Sequence, residues 1–235
     1  MKLLILAGGF GTRLRPVVTQ IPKVLAPVCN VPFLLLQIVH WKGQGINSFV
    51  FLLHHQASMI ISLLKEQITG LLNDCEVKWL VEPTPLDTGG AVAFAVSQLN
   101  LTGDFLLTNA DTWLERGFKE VRQATAPALA VVYLSDASRF GRVNFGFKNL
   151  VFAFQEKSCH TGAGWVSAGL CHLNAKIFRD WNQLPLSLER DIFPALVSRG
   201  ELIAVPLQTD FIDIGIPDDY FRFCRWITAN KKDAL

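Results

Sequence analysis

Lys2-Leu3-Leu4-Ile5-Leu6-Ala7-Gly8-Gly9-Phe10-Gly11-Thr12-Arg13-Leu14 stands at the head of the chain, a short apolar run that breaks into glycines. Such a run reads as a buried strand that stops at a loop. Glycines at 8, 9 and 11 allow the backbone to approach a ligand closely, and consecutive amide N–H groups can form a nest for an anion. Three glycines after a strand are as compatible with a tight turn as with a polyphosphate cradle. Arg13 shifts the balance, because a planar guanidinium beside a nest suits a phosphate. The spacing fits neither G-x-x-x-x-G-K-[ST] nor G-x-G-x-x-G, which argues against a P-loop and a dinucleotide-dependent oxidoreductase. Ten positions after Arg13, Pro22 stiffens the chain before Lys23, a point charge able to reach back to the same anion.

Outward from this loop, strand and helix patterns alternate. Pro32 opens an apolar helix ending near Gly43 and Gly45. The pattern then predicts a strand over 47–53, a helix over 57–67, a strand over 76–81, a helix over 90–99 and a strand over 104–108. This alternation predicts an α/β fold, a doubly wound and mainly parallel sheet with ligands beyond the carboxyl ends of its strands. Past about residue 125 the runs 128–134, 142–147, 150–155 and 166–173 follow with little helix between them, and they predict an antiparallel extension with a lid-like surface. Helices over 188–199 and 218–229 bracket an expected strand pair, 202–205 with 211–214. A single domain over 1–235 is expected, in halves 1–125 and 126–235, without the short repeats of a β-helix.

Bulk properties narrow the function. The chain has 235 residues, half of them hydrophobic, with 22 basic and 20 acidic side chains and a net charge of +2. No basic run marks a nucleic-acid partner, so an anionic ligand must be held locally. The apolar stretch from Phe33 to Trp41 is broken by Gln37 and His40, reads as a buried helix, and falls short of the ~20 residues of a membrane span. The first apolar run is too short for a signal peptide. The five cysteines are scattered, without metal or redox spacing, and read as reduced core thiols. A cytoplasmic protein with no membrane or nucleic-acid partner is expected, and a homo-oligomer is compatible with these properties.

Several further segments keep the same order and spacing as one known family: Leu86-Asp87-Thr88-Gly89-Gly90-Ala91, Asn109-Ala110-Asp111-Thr112, Phe140-Gly141-Arg142-Val143, Phe154-Gln155-Glu156-Lys157, Ser167-Ala168-Gly169 and Phe211-Ile212-Asp213-Ile214-Gly215-Ile216-Pro217-Asp218-Asp219-Tyr220. With Leu6 to Leu14 and Pro22-Lys23, they resemble the sugar-phosphate nucleotidyltransferases over nearly the whole chain. The resemblance implies a Rossmann-like fold, a nucleoside triphosphate and a sugar 1-phosphate as substrates, and Mg²⁺ as cofactor. It is nearest to the branch that activates D-glycero-D-manno-heptose 1-phosphate with GTP. Mannose 1-phosphate guanylyltransferases and muramate 1-phosphate uridylyltransferases are the alternatives, and a non-catalytic nucleotide-sugar sensor is the alternative of another class.

By the same resemblance, Asp111 and Asp213 are the metal ligands, and they act with Arg13 and Lys23 as the catalytic set. Leu6, Ala7, Gly8, Gly9, Gly11, Thr12, Glu82, Thr88, Gly89 and Gly90 join Arg13 and Lys23 at the nucleotide. Asn109, Gly141, Glu156, Lys157, Ser167 and Gly169 bind the sugar phosphate. Two positions depart from the pattern: Asp87 stands where many relatives have glycine, and Ser167 where asparagine is frequent. An ionised Glu82 only accepts hydrogen bonds, which matches the adjacent donors of guanine better than the edge of uracil. The neighbouring His54 and His55 carry no expected catalytic role.

Overall fold

The computed structural model describes residues 1–155 and 162–230; Glu156 and Lys157 lie outside the described residues. Strand β1 (Leu3–Leu6) is followed by a small hairpin, β2 (Pro27–Val28) and β3 (Val31–Pro32), and by α1 (Phe33–Gly43). Then come β4 (Ser48–Leu53), α2 (Ala57–Gln67), β5 (Glu76–Val81), α3 (Asp87–Gln98), β6 (Asp104–Asn109), β7 (Thr112–Leu114) and α4 (Phe118–Gln123). The second half holds β8 (Ala128–Leu134), β9 (Arg142–Phe145), β10 (Val151–Gln155), β11 (Gly164–Asn174), α5 (Phe193–Ser198), β12 (Ile203–Leu207), β13 (Phe211–Asp213) and α6 (Pro217–Asn230).

Strands β5, β4, β1 and β6 lie side by side and parallel. Their side chains alternate between two apolar layers. Leu3, Ile5, Phe49 and Phe51 face α1, α2 and α4, while Leu4, Val50 and Leu52 face α3 and α5. A strand buried on both faces must be apolar throughout, which is why Leu3-Leu4-Ile5-Leu6 shows no polar alternation. The expected doubly wound, mainly parallel sheet is therefore the observed one. Among the described residues no helix is long and apolar enough to cross a membrane.

The antiparallel extension is built on β11. Its carboxyl end pairs with β6, its other flank pairs with β8, and Val166 near its amino end meets Arg142 of β9. β12 then joins β8 in parallel. A register shift between Ser167 and Cys171 accompanies Gly169, whose φ of +72° is easy only for a residue without a Cβ.

One expectation is corrected here. The strands predicted over 202–205 and 211–214 do not pair with each other: β12 extends the main sheet, and β13 pairs antiparallel with β7 as a separate two-stranded sheet. Strands as short as β7 leave no periodic signal in a sequence, so a partner a hundred residues away could not be read from it. A further departure is at 188–199, where a π-turn over Leu188–Ile192 precedes α5 instead of one continuous helix.

Beneath the β7–β13 pair lies a third apolar cluster, in which Phe33 of α1, Trp113 of β7, Ile212 of β13 and Phe223 of α6 are all buried. Trp113 stacks on His40 at 4.3 Å, and Phe33 meets Phe223 edge to face at 4.9 Å. Burying each such ring contributes roughly 1.5–3 kcal/mol, so the small sheet stands on a firm base despite its few backbone hydrogen bonds.

Candidate active site

Beyond the carboxyl ends of β1, β4 and β6 a cleft of about 610 Å³ opens. Its floor follows from sheet register: Leu6 lies opposite Asn109, Ala7 donates to the Leu52 carbonyl at 2.9 Å, and Ala110 donates to the Leu6 carbonyl at 3.0 Å. The chain leaving β1 is pressed against the end of β4. A Cβ on Gly8 would lie 3.1 Å from the His54 backbone nitrogen, so the first glycine is a matter of space. Gly11 has a φ of +60° and turns the chain into a 3₁₀ turn, Thr12–Leu14, with Leu14 buried beneath it. That turn aims Arg13 into the cleft. A Cβ on Gly11 would also lie 3.1 Å from Cβ of Lys23, so the two motifs touch through this glycine.

Asp111 follows β6, and Asp213 closes β13. The β7–β13 register sets Asp213 opposite Thr112, and Ile214 donates to the Asp111 carbonyl at 3.0 Å. Both carboxylates line the cleft with Lys23 and Arg13. Lys23 donates to Asp111 in a short ion pair, while Asp213 accepts the Gly215 N–H at 2.7 Å. Burial pushes the Asp111 carboxyl up, but the Lys23 charge and hydrogen bond outweigh it and hold the group below the usual carboxylate range. Burial and then repulsion from Asp111 raise Asp213 above that range, against the pull of Lys23, the Gly215 N–H and Arg13. Two half-buried carboxylates close enough to repel one another in this way would gain from a shared cation.

Not every expected residue reaches the cleft. Leu6, Ala7, Gly8, Gly9, Arg13, Lys23, Glu82, Thr88, Asn109, Asp111 and Asp213 line it together. Gly11 and Thr12 build the turn behind Arg13. Gly89 and Gly90 are not among the residues lining the cleft: Cβ atoms there would lie 2.9 Å from the Leu186 carbonyl and from Cβ of Leu86, respectively, so they let α3 dock against 184–188. Gly141, Ser167 and Gly169 form a group beside Asn109. Ser167 donates to the Gly141 carbonyl at 3.1 Å, and a Cβ on Gly169 would come within 2.8 Å of the Asn109 amide. Glu156 and Lys157, expected at the sugar phosphate, lie outside the described residues.

At the opposite end of the cleft Glu82 is buried, accepts the Leu86 N–H at 2.9 Å, and is raised by that burial despite the hydrogen bond. Asp87 adopts a φ of +63°, a conformation easiest for glycine; its carboxylate accepts the Thr88 N–H and pairs with Arg190 at 2.5 Å. Glu189 was missed by the sequence reading. Its carboxylate lines the cleft and accepts the Thr88 hydroxyl at 2.8 Å. Only the unforeseen π-turn brings it there, so no local pattern could have singled it out.

Comparison with known proteins gives the family. Residues 2–230 match the nucleotidyl transferase family. The D-glycero-alpha-D-manno-heptose 1-phosphate guanylyltransferase of Campylobacter jejuni is 30% identical over 228 residues, which cover 95% of this chain and 98% of that one. The mannose-1-phosphate guanylyltransferase catalytic subunit beta of Xenopus tropicalis is also 30% identical, over 99% of this chain, and the chain spans 66% of that relative's length. Among solved structures, HddC from Yersinia pseudotuberculosis superposes with a TM-score of 0.84 at 30% identity, covering 96% of this chain and 99% of its own. The same protein complexed with GMP-PN gives 0.80 at 29% identity, with the same coverage. The chain belongs to the nucleotidyl transferase family, and within it to the sugar-1-phosphate nucleotidyltransferases that its motifs resemble.

Proposed function

We propose that the protein condenses GTP with D-glycero-D-manno-heptose 1-phosphate, forming the GDP-sugar and pyrophosphate with the help of Mg²⁺. The observation that carries this reading is the meeting of Asp111 and Asp213, distant in the chain, at the wall of a cleft that also holds Arg13 and Lys23. Mg²⁺ is typically held by one or two carboxylates together with substrate phosphates. The donor set fits: two hard carboxylates face one cleft, and among the described residues no group of three or more His, Cys, Asp or Glu side chains makes a self-sufficient metal cage. Asp111 and Asp213 would hold the ion, which supplies charge neutralisation between the two phosphate groups.

The residues of the chain do the rest. An oxygen of the sugar phosphate attacks the α-phosphorus of the triphosphate, a new P–O bond forms, and the bond to the bridging oxygen of the departing pyrophosphate breaks. The nucleophile is already ionised, so no side chain need remove a proton. Gly8 and Gly9 leave room for the triphosphate against the backbone, and Arg13 and Lys23 balance its charge. Aligning two polyanions that repel each other in water is the main contribution. Lys23, paired with Asp111 in the free protein, is placed to donate to an incoming phosphate as well. Asn109, backed by Gly169, borders the sugar side. Ser167 and Gly141 form the next wall.

Guanine is supported by Glu82, whose buried carboxylate gains from the adjacent N1–H and N2–H₂ donors. It is supported also by the two guanylyltransferase relatives and by the HddC complex with GMP-PN. Heptose is supported by the heptose 1-phosphate guanylyltransferase relative, 30% identical over 95% of this chain, and mannose 1-phosphate, the substrate named for the other relative, is the alternative. Pyrophosphate release with heptose, mannose and muramate 1-phosphates, each against GTP, UTP, CTP and dTTP, tests both assignments. GTP with the heptose phosphate is expected to give the highest kcat/KM; preference for UTP would overturn the base. Thermal stabilisation by nucleotides without turnover of any pair would overturn catalysis and leave a sensor.

A further inference from the structure

The helix α1 is apolar on almost every side, yet it carries Gln37 at its centre. Among the described residues Gln37 is the one polar side chain with none of its surface exposed. Its Nε2 donates to the Thr112 carbonyl at 2.6 Å, and its Oε1 has no partner among the described residues. Leaving half of an amide unsatisfied in an apolar helix is unfavourable, so the donation is the physical reason for a glutamine there.

That carbonyl belongs to the residue after Asp111. In the β7–β13 pair, Ile214 donates to the Asp111 carbonyl and Glu115 to the Asp210 carbonyl, so the odd-numbered residues of this segment bond toward β13. In an antiparallel strand the intervening carbonyls then point the other way. Among the described residues no strand pairs with Thr112 and Leu114 on that side, and α1 supplies the donors instead: Gln37 for Thr112, and His40 for Leu114 at 2.9 Å. A three-residue strand would not hold its geometry from one edge alone.

We propose that Gln37 is a positioning residue for Asp111, fixing the Thr112 carbonyl from α1 and through it the spacing between the Asp111 and Asp213 carboxylates. The inference rests on the reading that these two side chains share a divalent cation. Gln37 touches neither substrate nor metal; it acts through one backbone unit.

The test is Mn²⁺ binding, followed by electron paramagnetic resonance with GTP present and no sugar phosphate, on the full chain. Gln37→Met keeps the length of the side chain and removes the donor. Losing such an outer contact is expected to weaken Mn²⁺ about tenfold and to raise the Mg²⁺ needed for half-maximal turnover by a similar factor. Gln37→Asn withdraws the amide by one methylene and carries the same expectation, should Gln37→Met not accumulate as folded protein. Leu34→Ala, a packing loss on the same helix, should lower Tm and leave Mn²⁺ affinity unchanged. Wild-type Mn²⁺ affinity in the Gln37 variants, or equal weakening by Leu34→Ala, would overturn the inference alone. Failure of the wild-type protein to bind Mn²⁺ at all would remove the metal reading as well.

Discussion

The glycine loop and the carboxylate pair are built in opposite ways. Gly8 to Arg13 is one continuous segment, shaped by the end of β4 behind it and by a single left-handed glycine. Asp111 and Asp213 come from distant parts of the chain and are joined by a two-stranded sheet of six residues, held from below by α1 and α6. The loop depends on local backbone freedom. The pair depends on long-range packing, so substitutions remote from the cleft should disturb the pair while sparing the loop.

The largest expected effect lies where the two regions meet, at Lys23, which packs against Gly11 and pairs with Asp111. Lys23→Ala removes a preorganised charge and leaves Asp111 without its ion-pair partner. Turnover in the pyrophosphate-release assay should fall by ~10²-fold or more, with the fold retained by circular dichroism. A loss of only a few fold would assign the phosphate charge to other groups.

A smaller effect, in the second half, sharpens the contrast. Gly169→Ala would force a side chain into a φ of +72° and against the Asn109 amide, which its Cβ would meet at 2.8 Å. Urea unfolding should show a loss on the order of 1–3 kcal/mol, and KM for the sugar phosphate should rise more than KM for the nucleotide. An equal rise in both would mean that this bulge supports the whole cleft and not its sugar side.

The smallest effect belongs far from both regions. At the outer edge of the sheet, hydrogen bonds from Lys2, Ser48 and Lys78 lower the Glu76 carboxyl from 4.5 to about 2. A depressed carboxylate stabilises the fold above its unfolded pKa and loses that contribution as pH falls through its folded value. Glu76→Gln should therefore be less stable at neutral pH by no more than about 1 kcal/mol, since the group is well exposed and screened. The difference should shrink between pH 4.5 and about 2, with activity unchanged at pH 7.

What could be read from the sequence follows the same division. The longer strands and helices of residues 3–109 showed themselves as apolar or periodic runs between glycines and prolines, and β5 and α2 end where the pattern predicts, whereas the two-residue strands β2 and β3 left no signal. The glycine loop, Arg13 and Lys23 were legible because their spacing is local. Asp111 and Asp213 could be named only by resemblance, since an aspartate after a strand is common and neither β7 nor β13 is long enough to announce itself. Gly89 and Gly90 belong to the same motif as Thr88, yet they serve the docking of α3 against 184–188, a role visible only once that segment is in place. Glu189 needed the π-turn, and Gln37 looked like no more than an interruption in an apolar helix.

The central claim, that Asp111 and Asp213 hold one cation jointly, is tested most directly by a double-mutant cycle in Mn²⁺ affinity with Asp111→Asn, Asp213→Asn and the combination. If both serve one ion, each single variant should abolish most of the binding, and the double should be scarcely weaker than either. Independent, fully additive losses, or a single variant that binds Mn²⁺ as the wild type does, would contradict it.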